Sequence, residues 1–164
     1  NLSERRLYRL TTGSLSQRLP PGLASKDRPQ MGMMVPQTTA AALVSENKAL
    51  GWPASMDSIP TCEDQEDHVA MSTTAARRAA SVVSNARLVI AIEMLGAVRA
   101  LQFRLNDEPG VQLGQGTQVG VQRAATILRE LGPNRTPSDE IEALAEWIDA
   151  GGHRDAVSGL EPIA

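Results

Sequence analysis

Four carboxylates fall within five residues at Glu63, Asp64, Glu66 and Asp67, with Cys62, Gln65 and His68 interleaved and Pro60-Thr61 just before them. Like charges this close repel unless solvent, a cation or a helix dipole spreads them. Three chemistries fit. The acids can open a helix, whose macrodipole stabilises each by about 0.3–1 kcal/mol. Cys62, Glu66 or Asp67, and His68 carry metal-ligating atoms, but their spacing matches no recognised ligand pattern, so no metal is expected. Alternatively, Glu66 faces a substrate from a pocket at the helix start while Asp67 and His68 support the turn. A carboxylate in apolar surroundings is a proton acceptor or a partner for a substrate cation.

Other polar or polarisable residues carry blander expectations. Met33-Met34 closes a glycine-containing loop, where thioethers usually fill irregular gaps. Glu93 and Arg99 interrupt an apolar stretch and are expected to be ion-paired with neighbours. Gly114-x-Gly116 follows no strand pattern, so it is a poor nucleotide loop. His153 is expected to be solvated in a frayed tail.

The elements that must position these residues read as helices. Ser3 is placed to cap a short surface helix running to about Thr11, with Leu7 and Leu10 on one side and Arg5, Arg6 and Arg9 on the other. Residues 12–33, with Pro20-Pro21-Gly22, Pro29 and Gly32, read as a long loop. Pro36 suits a helix first turn and Gly51 a left-handed exit, which predicts a helix over 36–50 with a bare face at Ala40-Ala41-Ala42. Pro53 and Pro60 predict a stiff extended connection.

The dominant element is a proline-free helix predicted over about 66–105, a rod of about 55–60 Å. One stripe runs through Val69, Ala76, Ala80, Val83, Ile90, Met94, Ala97 and Leu101, and a second through Val82, Val89, Ile92 and Leu95. The half over 88–101 is therefore apolar nearly all round and belongs inside a bundle. Further helices are predicted over 117–131, capped by Thr117 and stopped by Gly132-Pro133, and over 139–150, capped by Ser138 with Asp139 and Glu140 in its first turn.

Composition agrees with an all-α chain forming one domain or part of one. The 164 residues include twenty-two alanines and only four aromatics, Tyr8, Trp52, Phe103 and Trp147, which favours closely approaching helices over a sheet. The net charge of -3, with both signs scattered, offers no basic stripe for nucleic acid. One cysteine, Cys62, excludes an internal disulfide framework and suits a reducing compartment, so the cytoplasm is expected. The strongly apolar run over 88–92 is far shorter than a bilayer span, and no membrane role is expected. The chain begins at Asn1, already at the edge of a helix, and reads as a piece of something longer.

The segment Thr38-Thr39-Ala40-Ala41-Ala42-Leu43-Val44-Ser45-Glu46-Asn47-Lys48, then Asp57-Ser58-Ile59-Pro60-Thr61, Gln65-Glu66-Asp67-His68-Val69 and Ala75-Ala76-Arg77-Arg78 closely resemble histidine ammonia-lyase, a member of the aromatic amino acid ammonia-lyases. Leu2-Ser3-Glu4-Arg5-Arg6 and Leu19-Pro20-Pro21 match the same family in the same order. The resemblance covers most of the chain and corresponds to the C-terminal third of the family's sequence.

It implies an ammonia-lyase-type helical bundle in which long central helices of four subunits pack together and each active site draws on three chains. It also implies elimination of ammonia from an amino acid by a methylidene-imidazolone group formed from Ala-Ser-Gly. That triplet is absent from these 164 residues. The electrophile, the tyrosine base and the carboxylate-binding arginine are thus expected in an upstream segment, with this chain inactive alone. Residue by residue, Glu66 falls on the family's pocket glutamate, Met34 on the pocket methionine near the substrate ring, and Cys62 and Gln65 on positions near the same pocket. Gln65-Glu66-Asp67-His68 is similar to the histidine-specific branch, whereas phenylalanine and tyrosine lyases typically carry Gln at the position of Glu66. Cys62 and Glu63 depart from the Ser and small residue common there, and Met33 stands where Phe is frequent. A phenylalanine or tyrosine lyase or aminomutase, and a non-catalytic helical assembly module, are the alternatives.

Overall fold

The computed structural model describes residues 1–25, 32–155 and 158; Pro29 and most of the tail lie outside the described residues. The described chain is helical, its only β feature an isolated bridge between Thr61 and Glu66. The helices are α1 (Leu2–Thr11), α2 (Met34–Leu50), α3 (Ser72–Asp107), α4 (Gln115–Glu130), α5 (Pro137–Asp149) and the four-residue α6 (Gly152–Asp155).

α3 is the spine. Its 36 residues match the length expected of the rod, but it starts at Ser72 rather than Glu66. The backbone from Thr61 to Glu66 closes on itself, the Ser58 hydroxyl accepts the Val69 N–H at 3.0 Å, and Met71 takes a left-handed φ of 49°. A chain held this way cannot enter an α-helix until the next residue, so the acids do not cap α3. α1, α2 and α5 pack on the C-terminal half of α3 and bury Val89, Ala91, Ile92, Leu95, Gly96, Val98 and Ala100. The second of the two stripes faces the chain's own core. The first leaves Val83 68% and Ile90 44% exposed.

α3 is long and apolar enough to cross a bilayer by length and composition. Its apolar half is instead covered by three helices and carries two ion pairs. Glu93 pairs with Arg6 of α1 and Arg99 with Glu140 of α5, as the sequence suggested for both charges. Burial alone would push the Glu93 carboxyl up, but hydrogen bonds from Arg6 and Ser3 together with the Arg6 charge hold it below the ordinary value.

That use of Ser3 corrects its expected role, because Asn1 occupies the N-cap position of α1. Nor is α1 merely a surface element: Leu7 is fully buried, its Cδ1 only 2.5 Å from where a Cβ at Gly96 would stand. A residue without a side chain at 96 is what lets α1 lie this close. The loop after α1 contains a 3₁₀ turn at Pro21–Leu23, and the connection expected to be extended contains another at Ala54–Met56.

Cap positions shift for local reasons. α2 begins two residues before Pro36, which the missing proline N–H allows, and Gly51 leaves it at φ −71°, not left-handed. Gly114, not Thr117, precedes α4, and Gly132 at φ +80° turns the chain after it. Thr136, not Ser138, caps α5: its hydroxyl accepts the Asp139 N–H and the Asp139 carboxylate takes the Thr136 N–H at 2.7 Å, a reciprocal capping box. Those bonds to Thr136, backbone first and hydroxyl second, keep the Asp139 carboxyl below its ordinary value. Asp139 and Glu140 do lie in the first turn as expected.

Candidate functional site

Cys62, Gln65 and Glu66 share one short loop, and all three are exposed. The loop is closed by Thr61 N–H to the Glu66 carbonyl at 3.3 Å and Glu66 N–H to the Thr61 carbonyl at 3.4 Å, with Gln65 N–H on the Cys62 carbonyl at 3.1 Å. Between the bridged residues, Cys62, Glu63 and Asp64 have φ of 53°, 54° and 68°. Three successive left-handed residues without glycine store strain, of order ~1–2 kcal/mol each. The turn lifts Glu66 off the helix and presents its carboxylate outward, where Oε2 accepts a long 3.4 Å bond from the Thr61 hydroxyl.

Met34 lies on a different element, the start of α2. The expectation of gap-filling thioethers holds for its neighbour: Met33 is fully buried, while Met34 is 57% exposed on the first residue of α2. Just beyond the last turn of α2, the Trp52 carbonyl accepts a hydrogen bond from the Arg78 guanidinium of α3 at 2.9 Å. The structure gathers Glu66, Gln65 and Cys62 into one loop and places Met34 apart from them, on the first residue of α2.

The chain's own concavities lie elsewhere. One of about 410 Å³ is bounded by Leu10, Leu15, Leu19, Leu101 and Arg104, and one of about 310 Å³ by Val35, Pro36, Ile92 and Ile141. Neither includes Glu66, Met34, Cys62 or Gln65. Among the described residues no cluster of three His, Cys, Asp or Glu could hold a metal ion. Cys62 is a free, exposed thiol.

The sequence did not reveal which acid meets Arg99. Glu140, read there only as a dipole-complementing acid, is buried between Arg99 and Arg135. Its partner on α3 is 41 residues away, a separation at which no helical spacing rule operates.

Residues 1–127 match the family model of the aromatic amino acid lyases. The chain belongs to that family. Among curated relatives, the lyase chain is 46% identical over 149 residues to histidine ammonia-lyase of Geobacillus kaustophilus, covering 90% of this chain and 29% of that protein. With histidine ammonia-lyase of Caldanaerobacter subterraneus it shares 52% over 117 residues, 71% of this chain and 22% of the relative. It superposes on the crystal structure of histidine ammonia-lyase from Trypanosoma cruzi with a TM-score of 0.84 at 34% identity, covering 99% of this chain and 30% of that one. The tyrosine aminomutase of Streptomyces globisporus gives the same TM-score at 32% identity and the same coverages. The lyase chain has the helical ammonia-lyase fold and spans less than a third of the length of these relatives.

Proposed function

We propose that this chain is the C-terminal portion of a histidine ammonia-lyase, which converts L-histidine to urocanate and ammonia. What carries the reading is Glu66 in the sequence Gln65-Glu66-Asp67-His68, displayed outward on a rigid turn and supported by 46% identity with a histidine ammonia-lyase over nearly the whole chain. The site is completed by an upstream segment and by other subunits of a tetramer in the cytoplasm. The family's methylidene-imidazolone supplies the electrophile; with no Ala-Ser-Gly among these 164 residues, the chain contributes binding and proton handling rather than that group.

Its own residues divide the work. Glu66 pairs with the substrate imidazole or holds the proton of the departing amine. Enclosed by other polypeptide, the carboxylate acts in a medium where its attraction for a cation is several times that in water. Met34, on an exposed helix end, offers a polarizable thioether to the ring. Cys62 and Gln65 shape the loop that leads into the acid.

The test is Glu66→Ala in the complete lyase, with turnover expected to fall about 10²–10³-fold while the tetramer persists. Near-normal turnover refutes the role given to Glu66. The equal structural match to tyrosine aminomutase keeps a second reading within the family, a phenylalanine or tyrosine lyase or aminomutase. Incubation with histidine, phenylalanine and tyrosine separates them: urocanate alone supports the first, and aromatic acrylates or β-amino acids support the second.

A further inference from the structure

Glu140 lies beyond the stretch that matches the family model, yet it is connected to the residue beside Met34. At 5% exposure it holds two guanidinium groups, Arg99 Nη2 at 2.5 Å from Oε2 and Arg135 Nε at 2.7 Å from Oε1. The other arm of Arg99, Nη1, stands 3.4 Å from Met33 Sδ and 3.5 Å from the Gly32 carbonyl oxygen. The same backbone is gripped from the opposite side. Met33 N–H donates to the Gly22 carbonyl at 2.7 Å, and Gly32, at φ +56°, sits so close that a Cβ would fall 2.3 Å from that oxygen. Met34 is the next residue along.

We propose that Glu140 is a positioning residue for substrate binding: by fixing the Arg99 fork, it holds the backbone at 32–33 and sets where Met34 meets the substrate ring. The proposal rests on the reading of Met34 as a substrate contact. Its physical basis is the planar guanidinium, which is rigid enough for one edge to register the position of the other. A carboxylate holds that edge through charge-assisted hydrogen bonds. A thioether and a single carbonyl, left alone, hold the other edge weakly. Without the Glu140 charge, Arg99 can swing toward solvent and the entry to α2 loosens by fractions of an ångström. Contact with a bound ring is sensitive to displacements of that size.

The experiment uses the complete lyase with histidine as substrate and compares Glu140→Gln, Arg99→Lys, Met34→Ala and the double variant Glu140→Gln/Met34→Ala. Glu140→Gln raises KM about tenfold with kcat, per folded tetramer, changed less than about threefold. Arg99→Lys keeps the charge opposite Glu140 but loses the fork, and reproduces the KM rise even if Glu140→Gln folds poorly. In the double variant KM equals that of Met34→Ala, because the arm has nothing left to position. A purely structural role for Glu140 lowers the folded fraction and leaves KM unchanged in both Glu140→Gln and Arg99→Lys, which overturns the proposal. Additive KM effects in the double variant also overturn it while leaving Met34 in the site. A silent Met34→Ala refutes the Met34 reading itself, and the positioning role falls with it.

Discussion

The two halves of α3 have the same backbone and opposite surroundings. From residue 89 to 100 the helix is wrapped by α1, α2 and α5, with seven residues buried. From 72 to 87 no residue is fully buried and Val83 is 68% exposed, although Asn47 of α2 reaches the Val82 carbonyl and Asn85, and Asp149 of α5 pairs with Arg87. The Glu66 loop that precedes this half is exposed as well. One end of the spine carries the closed core, and the other is held by polar contacts with the ends of α2 and α5. The candidate acid precedes the more exposed end.

This contrast can be broken or sharpened by substitution. The largest effect is expected at the exposed half: in the tetramer proposed above, with subunits packed on this face, Val83→Asp buries an unpaired charge between them, so light scattering detects smaller species and turnover falls at least about tenfold. A tetramer of normal size and activity would show that this face stays in water. Next comes the wrapped half. Leu95 is fully buried, and Leu95→Ala lowers unfolding stability by about 2–5 kcal/mol in urea titration. A loss below about 1 kcal/mol would mean that the core is not closed there.

A smaller effect is expected at the α5 cap. Thr136→Ala removes the hydroxyl half of the capping box and costs about 1 kcal/mol in the same titration. Ser138→Ala one turn position later costs nothing measurable, which distinguishes the observed cap from the one the sequence suggested. The smallest effect is pH-dependent. The Glu93 carboxyl is held below its ordinary value of 4.5, so its pairing with Arg6 contributes fully above that pH and is lost as pH falls through the lowered value. Because Arg6 is largely exposed the contribution is modest. Glu93→Gln flattens the acid limb of the stability profile below about pH 4.5 and removes the difference from the parent protein at still lower pH, as followed by urea midpoints.

Much of the architecture was legible in order and kind. The helices, their approximate lengths and the apolar character of residues 88–101 follow from spacing and from the placement of proline and glycine. What spacing left open was which of the two stripes faces inward. Both have helical period, and the choice belongs to α1, α2 and α5, which meet α3 from distant parts of the chain. Three caps were misplaced because Ser3, Thr117 and Ser138 are cap-type residues one or two positions past the true helix start, and local backbone geometry selects among such neighbours. The entry to α3 was misplaced by six residues because Cys62, Glu63 and Asp64 adopt left-handed conformations with no glycine to announce them.

Residue types and their order alone established the helical class, the aromatic lyase resemblance, the candidacy of Glu66 and the need for ion partners at Glu93 and Arg99. These depend on periodicity and on motifs within a few positions, which a linear string contains. Folding decided that Glu66 stands on a turn rather than a helix, that Met33 is buried while Met34 is displayed, and that Glu140 is the acid meeting Arg99. The last two are set by contact between segments tens of residues apart, and the first by a run of left-handed backbone without glycine; in neither case does a local pattern record the outcome.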